Sequence, residues 1–268
     1  MFNDPGSHST SHFIFTLHPL EIRRSAHIVA PASLHVFNLL LKKYLQFNID
    51  DMEYFYNEFR ENTTGATAAE LIFKLRMHTI LSEIRTLRLY PICCSDTKKG
   101  KVHFIYDDYE ATDNQTNEQK FELPKLRPDS LGKKTKLRTN TYYTPDSANF
   151  PTFDSLLFFN PLDNSPPILL MLQMTQAEKL DAKANGLDYV DKFDFPQNVR
   201  KYYVAVTPDD ISTKISIPVG YFTDEKAKVM ASPNEVFPVF HFPVSKEVLF
   251  PKRWYFLTAE GKIVMQQK

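Results

Sequence analysis

The chain has 268 residues, 43% of them apolar, and its 32 basic and 32 acidic residues leave no net charge at pH 7. This length allows one large domain or two small ones, and the zero charge argues against long-range attraction of the whole chain to nucleic acid or membranes. Glycine is scarce, and neither GxGxxG nor GxxxxGK[ST] occurs, which argues against a phosphate-binding loop of either kind.

The only two cysteines, Cys93 and Cys94, are adjacent. Neighbouring cysteines rarely bridge each other without strain, so the chain offers no disulfide framework, which favours a reducing compartment. The N-terminus lacks the basic and apolar regions of a signal peptide, and no uninterrupted apolar run reaches the length of a membrane span. The sequence predicts a soluble intracellular protein without a membrane partner.

Residues 1–62 are predicted to form an N-terminal arm and a helical segment. Apolar residues at helical spacing predict one helix from Leu34 to Phe47 and another from Asp50 or Asp51 to Arg60. The spacing of the early histidines matches no standard metal-ligand pattern, so they are interpreted as polar side chains of a loosely ordered arm. These histidines are His8, His12, His18, His27 and His35.

A third helix, from Thr67 to Ser82, begins the second predicted domain, residues 63–268. Glu70, Lys74 and His78 lie four residues apart, so they share one stripe of this helix. If these three side chains have a functional role, the stripe would face a candidate catalytic site. Periodicity alone favours a solvated face with one Glu–Lys pair.

Two strands are predicted next, from Arg85 to Ile92 and from Val102 to Tyr109, followed by a polar loop over residues 110–120. Between residues 125 and 138, six basic residues stand against a single acid, Asp129. Such a cluster is typical of phosphate-backbone contacts or of a nuclear-import patch, and a solvated loop is the equal alternative. The basic residues are Lys125, Arg127, Lys133, Lys134, Lys136 and Arg138.

Two apolar runs at the centre of the chain, Phe153 to Phe159 and Ile168 to Met174, are joined by a turn-rich segment. Each run is too short for a typical helix, so the pair predicts a buried β-hairpin. Its few polar residues include Asp154 and Gln173. A carboxylate there is costly unless it is paired, hydrogen-bonded or bound to a cation. The residues alone leave these three possibilities open for Asp154.

Beyond the hairpin the sequence predicts further helix and strand, and so a mixed α and β fold. A helical segment is expected from Gln176 to Lys192, with Gly186 as a break, and a strand from Tyr202 to Val206. Residues 215–222 alternate around Pro218, which predicts an edge strand. The segments 254–257 and 263–265 predict a second hairpin.

Three of these segments together resemble a known nuclease-like domain. The helix GATAAELIFKLRMHTIL, the central hairpin and the strand YYVAVTP are similar to the domain of Crinkler effectors and retrotransposon hot spot proteins. That domain belongs to the PD-(D/E)XK, or restriction-endonuclease-like, superfamily, and the similarity spans about residues 65–210. It implies a central mixed sheet flanked by helices, magnesium-dependent cleavage of DNA and a nuclear location.

The resemblance also assigns roles to individual residues. Asp154 stands where the family has a metal-binding aspartate, and Gln173-Met174-Thr175 matches a Gln-x-Thr element at the end of the second strand. In the helix, Phe73 and His78 match the family's aromatic residue and histidine. The candidate catalytic residues implied are Asp154, Gln173, Thr175, Lys74, Glu70 and His78.

Two positions depart from the family pattern. Lys74 stands where the helix glutamate belongs, and Met171 stands where the second strand would carry its acid. Asp154 is then the only carboxylate left at the expected positions, with Glu70, one turn before Lys74, as a substitute. A lysine beside Asp154 would form an ion pair in place of a metal.

Three hypotheses follow from the sequence. The first is a degenerate nuclease domain, weakly active or inactive, that binds nucleic acid or a protein partner. The second is an active Mg²⁺-dependent DNA endonuclease that uses Asp154, Gln173 and Glu70, with His78 or Lys74. The third is a protein-interaction module without a nucleic-acid role, in which Asp154 is a satisfied buried carboxylate.

Overall fold

The structure is a computed structural model, and it describes residues 15–20, 23–31, 49–61, 66–92, 94–98, 100–105, 118–132, 135–146, 152–196, 198–218, 239–251, 255–257 and 263–265. The helix predicted from Leu34 to Phe47 and most of the loop predicted over residues 110–120 lie outside these ranges. The chain divides into two compact units, residues 1–72 and 73–268. The division therefore falls inside a helix, ten residues beyond the boundary predicted at residue 62.

The first unit contains a hairpin, β1 (Phe15–Leu20) and β2 (Arg23–Pro31), and a helix, α1 (Ile49–Glu61). The strands pair antiparallel, with His18 opposite Ile28 and Pro19 opposite His27. The prediction of a loosely ordered arm is therefore wrong for these two histidines, because they lie within paired strands. Helix α1 confirms the second predicted helix.

Helix α2 (Ala66–Glu83) confirms the third predicted helix to within one residue at each end. Most of its residues are strong helix formers such as Ala, Leu, Lys, Arg and Met, and this composition favours a continuous helix of 18 residues. Its second half belongs to the second unit. There Phe73, Met77 and Leu81 are fully buried, and Arg76 is buried as well, with its Nε donating to the carbonyl of Leu249 at 2.9 Å.

The second unit consists mainly of strands. In chain order, and after the second half of α2, its elements are β3 (Thr86–Pro91), β4 (Cys94–Lys98), β5 (Lys101–Ile105), β6 (Gln119–Glu122), β7 (Arg127–Leu131), β8 (Thr141–Pro145), β9 (Ser155–Phe159), β10 (Ile168–Met174), β11 (Lys179–Asp181), α3 (Ala184–Asp191), β12 (Arg200–Pro208), β13 (Lys214–Pro218), β14 (Val239–Val244), α4 (Lys246–Leu249), β15 (Tyr255–Leu257) and β16 (Ile263–Met265).

Eight of these strands form one mixed sheet in the order β6-β3-β14-β12-β10-β9-β8-β7. The pairs β14–β12, β12–β10 and β8–β7 are parallel, and the other four pairs are antiparallel. Its centre is the predicted hairpin, with Ile168 opposite Phe159 and Leu172 opposite Ser155. All of β9 is buried, as is all of β10 except Gln173. Continuous apolar runs are what strands covered on both faces require.

The sheet is curled. Its two edge strands, β6 and β7, are joined by only four residues, 123–126, which span at most about 18 Å when extended. Phe121 of β6 also meets Phe159 of β9 edge to face, with ring centroids 6.2 Å apart. The two edges of the eight-stranded sheet therefore lie near each other.

A smaller sheet has the order β11-β13-β5-β4, and an apolar core joins it to the large sheet. Val102, Phe104 and Ile215 of the small sheet lie in the same buried cluster as Leu156 and Met171 of the hairpin. The prediction that Pro218 marks an edge strand is wrong, because β13 has a partner on each side. Pro218 is the last residue of β13 and lies beyond residues 214–216, which pair with β11, so at this position β13 is paired only with β5.

Two other predictions need correction. The segment from Gln176 to Lys192 is helical only in α3, because residues 179–181 pair with β13 instead, and tertiary pairing overrides local propensity. Gly186 does not break this helix but is buried within its first turn.

Strand β12 and the hairpin β15–β16 confirm their predictions. No helix in the described parts of the chain is long and apolar enough to span a membrane.

Candidate functional site

Asp154 lies directly before β9, at the open end of the central hairpin. Its N–H donates to the Leu172 carbonyl at 2.8 Å, and its Oδ2 accepts from the N–H of Met174 at 2.7 Å. The register that sets Ser155 opposite Leu172 thus places Asp154 beside the last two residues of β10. Through this hydrogen bond the Asp154 carboxylate links the start of β9 to the end of β10.

The second carboxylate oxygen of Asp154 is engaged by α2. Lys74 Nζ lies 3.0 Å from Asp154 Oδ1, and the two side chains are 28% and 21% exposed. This partial burial strengthens the ion pair relative to one in open solvent. The solvated face expected for this stripe is therefore wrong at Lys74, whose ammonium group faces the hairpin.

One helical turn further on, His78 faces the same sheet. Its Nδ1 shares a hydrogen bond with the Tyr142 hydroxyl at 2.7 Å, and the two rings meet edge to face. Burial lowers the pKa of His78; the Asp154 carboxylate opposes that shift and the Lys74 ammonium adds to it. Burial also raises the pKa of Tyr142 far above its usual range. Both groups are therefore neutral hydrogen-bonding partners near pH 7.

In the described part of the chain, neither Gln173 nor Thr175 forms a hydrogen bond with the Asp154 side chain. The Tyr203 hydroxyl of β12 donates to Gln173 Oε1, and burial, reinforced by Asp154 and Asp181, raises the pKa of that tyrosine. The Thr175 hydroxyl accepts from the N–H of Ala177 at 3.0 Å and so shapes the turn after β10. Both candidate residues have their oxygens occupied within the fold.

Met171 occupies the position where the resemblance expects an acid. It pairs with Leu156 and with Tyr203 and is only 1% exposed, within the apolar core between the two sheets. A carboxylate at this position would be buried, and neither strand of the hairpin contains a lysine or arginine to pair with it, so its burial would be costly. A methionine at this position suits the surrounding apolar core.

These residues do not fit a magnesium ion. Mg²⁺ requires near-ideal octahedral coordination by oxygen, usually with one or two carboxylates. Here the one carboxylate accepts a hydrogen bond at Oδ2 and forms an ion pair at Oδ1 with an ammonium group 3.0 Å away. Within the described residues no three His, Cys, Asp or Glu side chains converge in a group that could hold a metal.

Thr152, two residues before Asp154, was not singled out by the sequence. It has a positive φ of 81°, which is rare for a β-branched residue. Its buried hydroxyl donates to the Lys183 carbonyl at 2.7 Å and accepts from the Lys183 N–H at 2.8 Å. Lys183 directly precedes α3, so this clamp fixes the approach of the chain to Asp154. No local pattern in the sequence signals the clamp, because the two residues lie 31 positions apart.

The remaining candidates lie elsewhere. Glu70 is half-buried on the part of α2 that belongs to the first unit. Of the basic cluster, Lys125, Arg127, Lys136 and Arg138 are exposed, whereas residues 133 and 134 lie outside the described ranges. The cluster is not simply a loop, because residues 127–131 form the edge strand β7, parallel to β8.

Comparison of the chain with protein-family models, curated proteins and solved structures finds no match.

Proposed function

We propose that this chain is a nucleic-acid-binding domain of the restriction-endonuclease-like type that does not cut its ligand, and that the Lys74–Asp154 ion pair takes the place of a metal. The observation that carries the proposal is the 3.0 Å contact between the Lys74 ammonium and Asp154 Oδ1. It satisfies the single carboxylate at the position that the resemblance assigns to the metal ligand.

Hydrolysis of a phosphodiester by this type of site depends on a cation that lowers the pKa of the attacking water and neutralises the developing charge. The Lys74 ammonium supplies charge but no Lewis-acid centre on which water can ionise. With Met174 N–H on the other oxygen, Asp154 is a fixed structural acceptor. Neutral His78, bonded to Tyr142, adds no second charge to the site.

Binding without cleavage is supported by the exposed cations around β7. Lys125, Arg127, Lys136 and Arg138 are all exposed, and none forms an ion pair with a described residue. Solvent-exposed arginine and lysine side chains bind phosphate backbones without needing a metal.

Supercoiled plasmid incubated with the purified protein and Mg²⁺ or Mn²⁺ tests the absence of cleavage. We expect no nicking above that of an Asp154→Ala variant, because the donor set does not suit either ion. Asp181→Ala is the matched control, since Asp181 pairs with Lys101 on the small sheet. Nicking that Asp154→Ala abolishes and Asp181→Ala retains would establish the active endonuclease instead.

A second arm tests binding. Wild-type protein in EDTA should retard labelled duplex DNA in a gel, with an affinity that Mg²⁺ does not increase. A complete lack of binding to duplex DNA and to single-stranded RNA at low salt would favour the protein-interaction module.

A further inference from the structure

We infer that the phosphodiester backbone of duplex nucleic acid is contacted by one corner of the curled sheet, formed by Arg85, Lys125, Arg127 and Arg138. This basic corner deepens the proposed function and rests on it. Three of its members come from the basic cluster in the sequence. The fourth, Arg85, is brought to them by the fold.

The starts of β7 and β8 bring two of these arginines together. The N–H of Arg127, the first residue of β7, donates to the carbonyl of Asn140 at 2.9 Å. Arg138 lies two residues before Asn140, and its backbone N–H donates to the Tyr143 hydroxyl at 2.6 Å. Because β7 and β8 are parallel, their starts lie at the same end of the pair, and so do the two guanidinium-bearing residues.

Arg85 joins the corner through the segment that links the two edges of the sheet. Its Nη1 donates to the carbonyl of Pro124 at 3.0 Å, and Pro124 directly precedes Lys125. The backbone of Arg85 also accepts from the N–H of Leu123 at 2.7 Å. These two bonds hold Arg85 beside the chain that leads into β7. The sequence separates Arg85 from Pro124 by 39 positions, so no local pattern reveals the contact.

The corner carries a net positive charge. All four cations are exposed, and none of them makes an ion pair with any residue that the structure describes. Acids near these elements have other partners. Glu122 forms an ion pair with Lys120 at 2.6 Å and accepts from the Thr86 hydroxyl, and Glu83 raises the pKa of the buried Arg76. Asp129 and Asp163 accept from the backbone N–H groups of Ser130 and Ser165 and keep their negative charges, so the four cations outnumber these two carboxylates.

The basic corner lies apart from Asp154. Arg127 pairs with Thr141, which pairs with Phe158 near the end of β9. Asp154 precedes the start of the same strand, four residues away, or about 13 Å along it. Phosphate contacts at the corner therefore require neither the Asp154 carboxylate nor Lys74.

The salt dependence of binding tests this inference. A variant with Arg85→Gln, Lys125→Gln, Arg127→Gln and Arg138→Gln removes four charges from the corner. The matched control removes four exposed lysines elsewhere: Lys179→Gln, Lys183→Gln, Lys192→Gln and Lys214→Gln. Affinity for a short labelled DNA duplex of mixed sequence is measured by fluorescence anisotropy over a range of salt concentrations. Circular dichroism checks that both variants are folded.

We expect the corner variant to reduce the slope of log K against log salt by about 3 to 4, at about 0.9 per lost phosphate contact, and the control to leave most of it. At low salt the affinity of the corner variant should fall at least about tenfold. If the wild-type protein binds the duplex and the two variants show equal slopes, the basic corner is not the contact site, and the proposed function still stands. Wild-type protein that binds single-stranded RNA but no duplex would overturn the assignment of the corner to a duplex, and wild-type protein that binds neither would overturn the proposed function itself. Equally strong competition by polyglutamate would show a surface for acidic polypeptides and overturn the phosphate assignment.

Discussion

Replacing Asp154 with alanine is expected to destabilise the second unit by about 2 to 3 kcal/mol. The change leaves the Lys74 ammonium, which is 28% exposed, without its partner at 3.0 Å, and removes the acceptor of the Met174 N–H. Both groups are then partly shielded from water without compensation. The midpoint of thermal unfolding should fall by about 5 to 10 °C for a unit of this size.

Two further variants separate the two contacts of Asp154, and a third serves as their control. Asp154→Asn keeps an oxygen for the Met174 N–H and should cost roughly half as much, and Lys74→Met removes the ion pair alone. The matched control is Lys101→Met: Lys101 and Asp181 are 2.6 Å apart but 38% and 58% exposed. Such an exposed pair contributes at most about 1 kcal/mol. If Asp154→Ala costs no more than Lys101→Met, Asp154 does not hold the open end of the hairpin.

Acidification is expected to destabilise the second unit through His241. This side chain lies in β14, between β12 and β3, and is 1% exposed. Its Nε2 shares a hydrogen bond with the Thr207 hydroxyl at 2.8 Å. Burial lowers the pKa of His241 to about 4, from an ordinary value of 6.5.

The direction of the pH effect follows from that shift. The unfolded chain protonates this histidine as the pH falls through 6.5, whereas the folded chain does so only near pH 4. The stability contributed by His241 is therefore complete above pH 6.5 and declines to nothing by about pH 4, a loss of about 3 kcal/mol. The lowered pKa of His78 acts in the same direction.

Urea unfolding measured from pH 7 to pH 4 tests this expectation. His241→Gln should be less stable than wild type at pH 7 but lose less stability on acidification. His103→Gln, which alters a half-buried histidine on the small sheet, is the control for the loss of a histidine as such. A His241→Gln profile parallel to that of the wild type would show that another group carries the acid sensitivity.

The sequence was most informative where one local pattern settles the structure. The apolar runs that became β9 and β10 allow only a covered hairpin, and α2 is rich in helix formers, so both were predicted within two residues. Strand β14 was missed, because His241 and Pro243 interrupt its apolar pattern. Its place in the sheet depends on pairing with β12, about 35 residues earlier in the chain.

The candidate site was only partly predictable from the sequence, because it too depends on contacts between residues far apart in the chain. The sequence supplied Asp154 and, through Lys74, the idea of an ion pair in place of a metal. It favoured a solvated face for Lys74 and His78, because helical periodicity does not say which polar stripe meets a neighbouring strand. Thr152 and Arg85 act through partners that are 31 and 39 positions away, so no spacing rule could have found them.

Binding of Mn²⁺, followed by electron paramagnetic resonance, is the most direct test of the proposal that an ion pair replaces the metal. Wild-type protein and Asp154→Asn are titrated with the ion at constant ionic strength, and the signal of free Mn²⁺ is recorded. Because Lys74 and Met174 already occupy both oxygens of Asp154, we predict identical signals for the two proteins. A loss of free Mn²⁺ in the wild type that Asp154→Asn abolishes would contradict the proposal and show that Asp154 is a metal ligand.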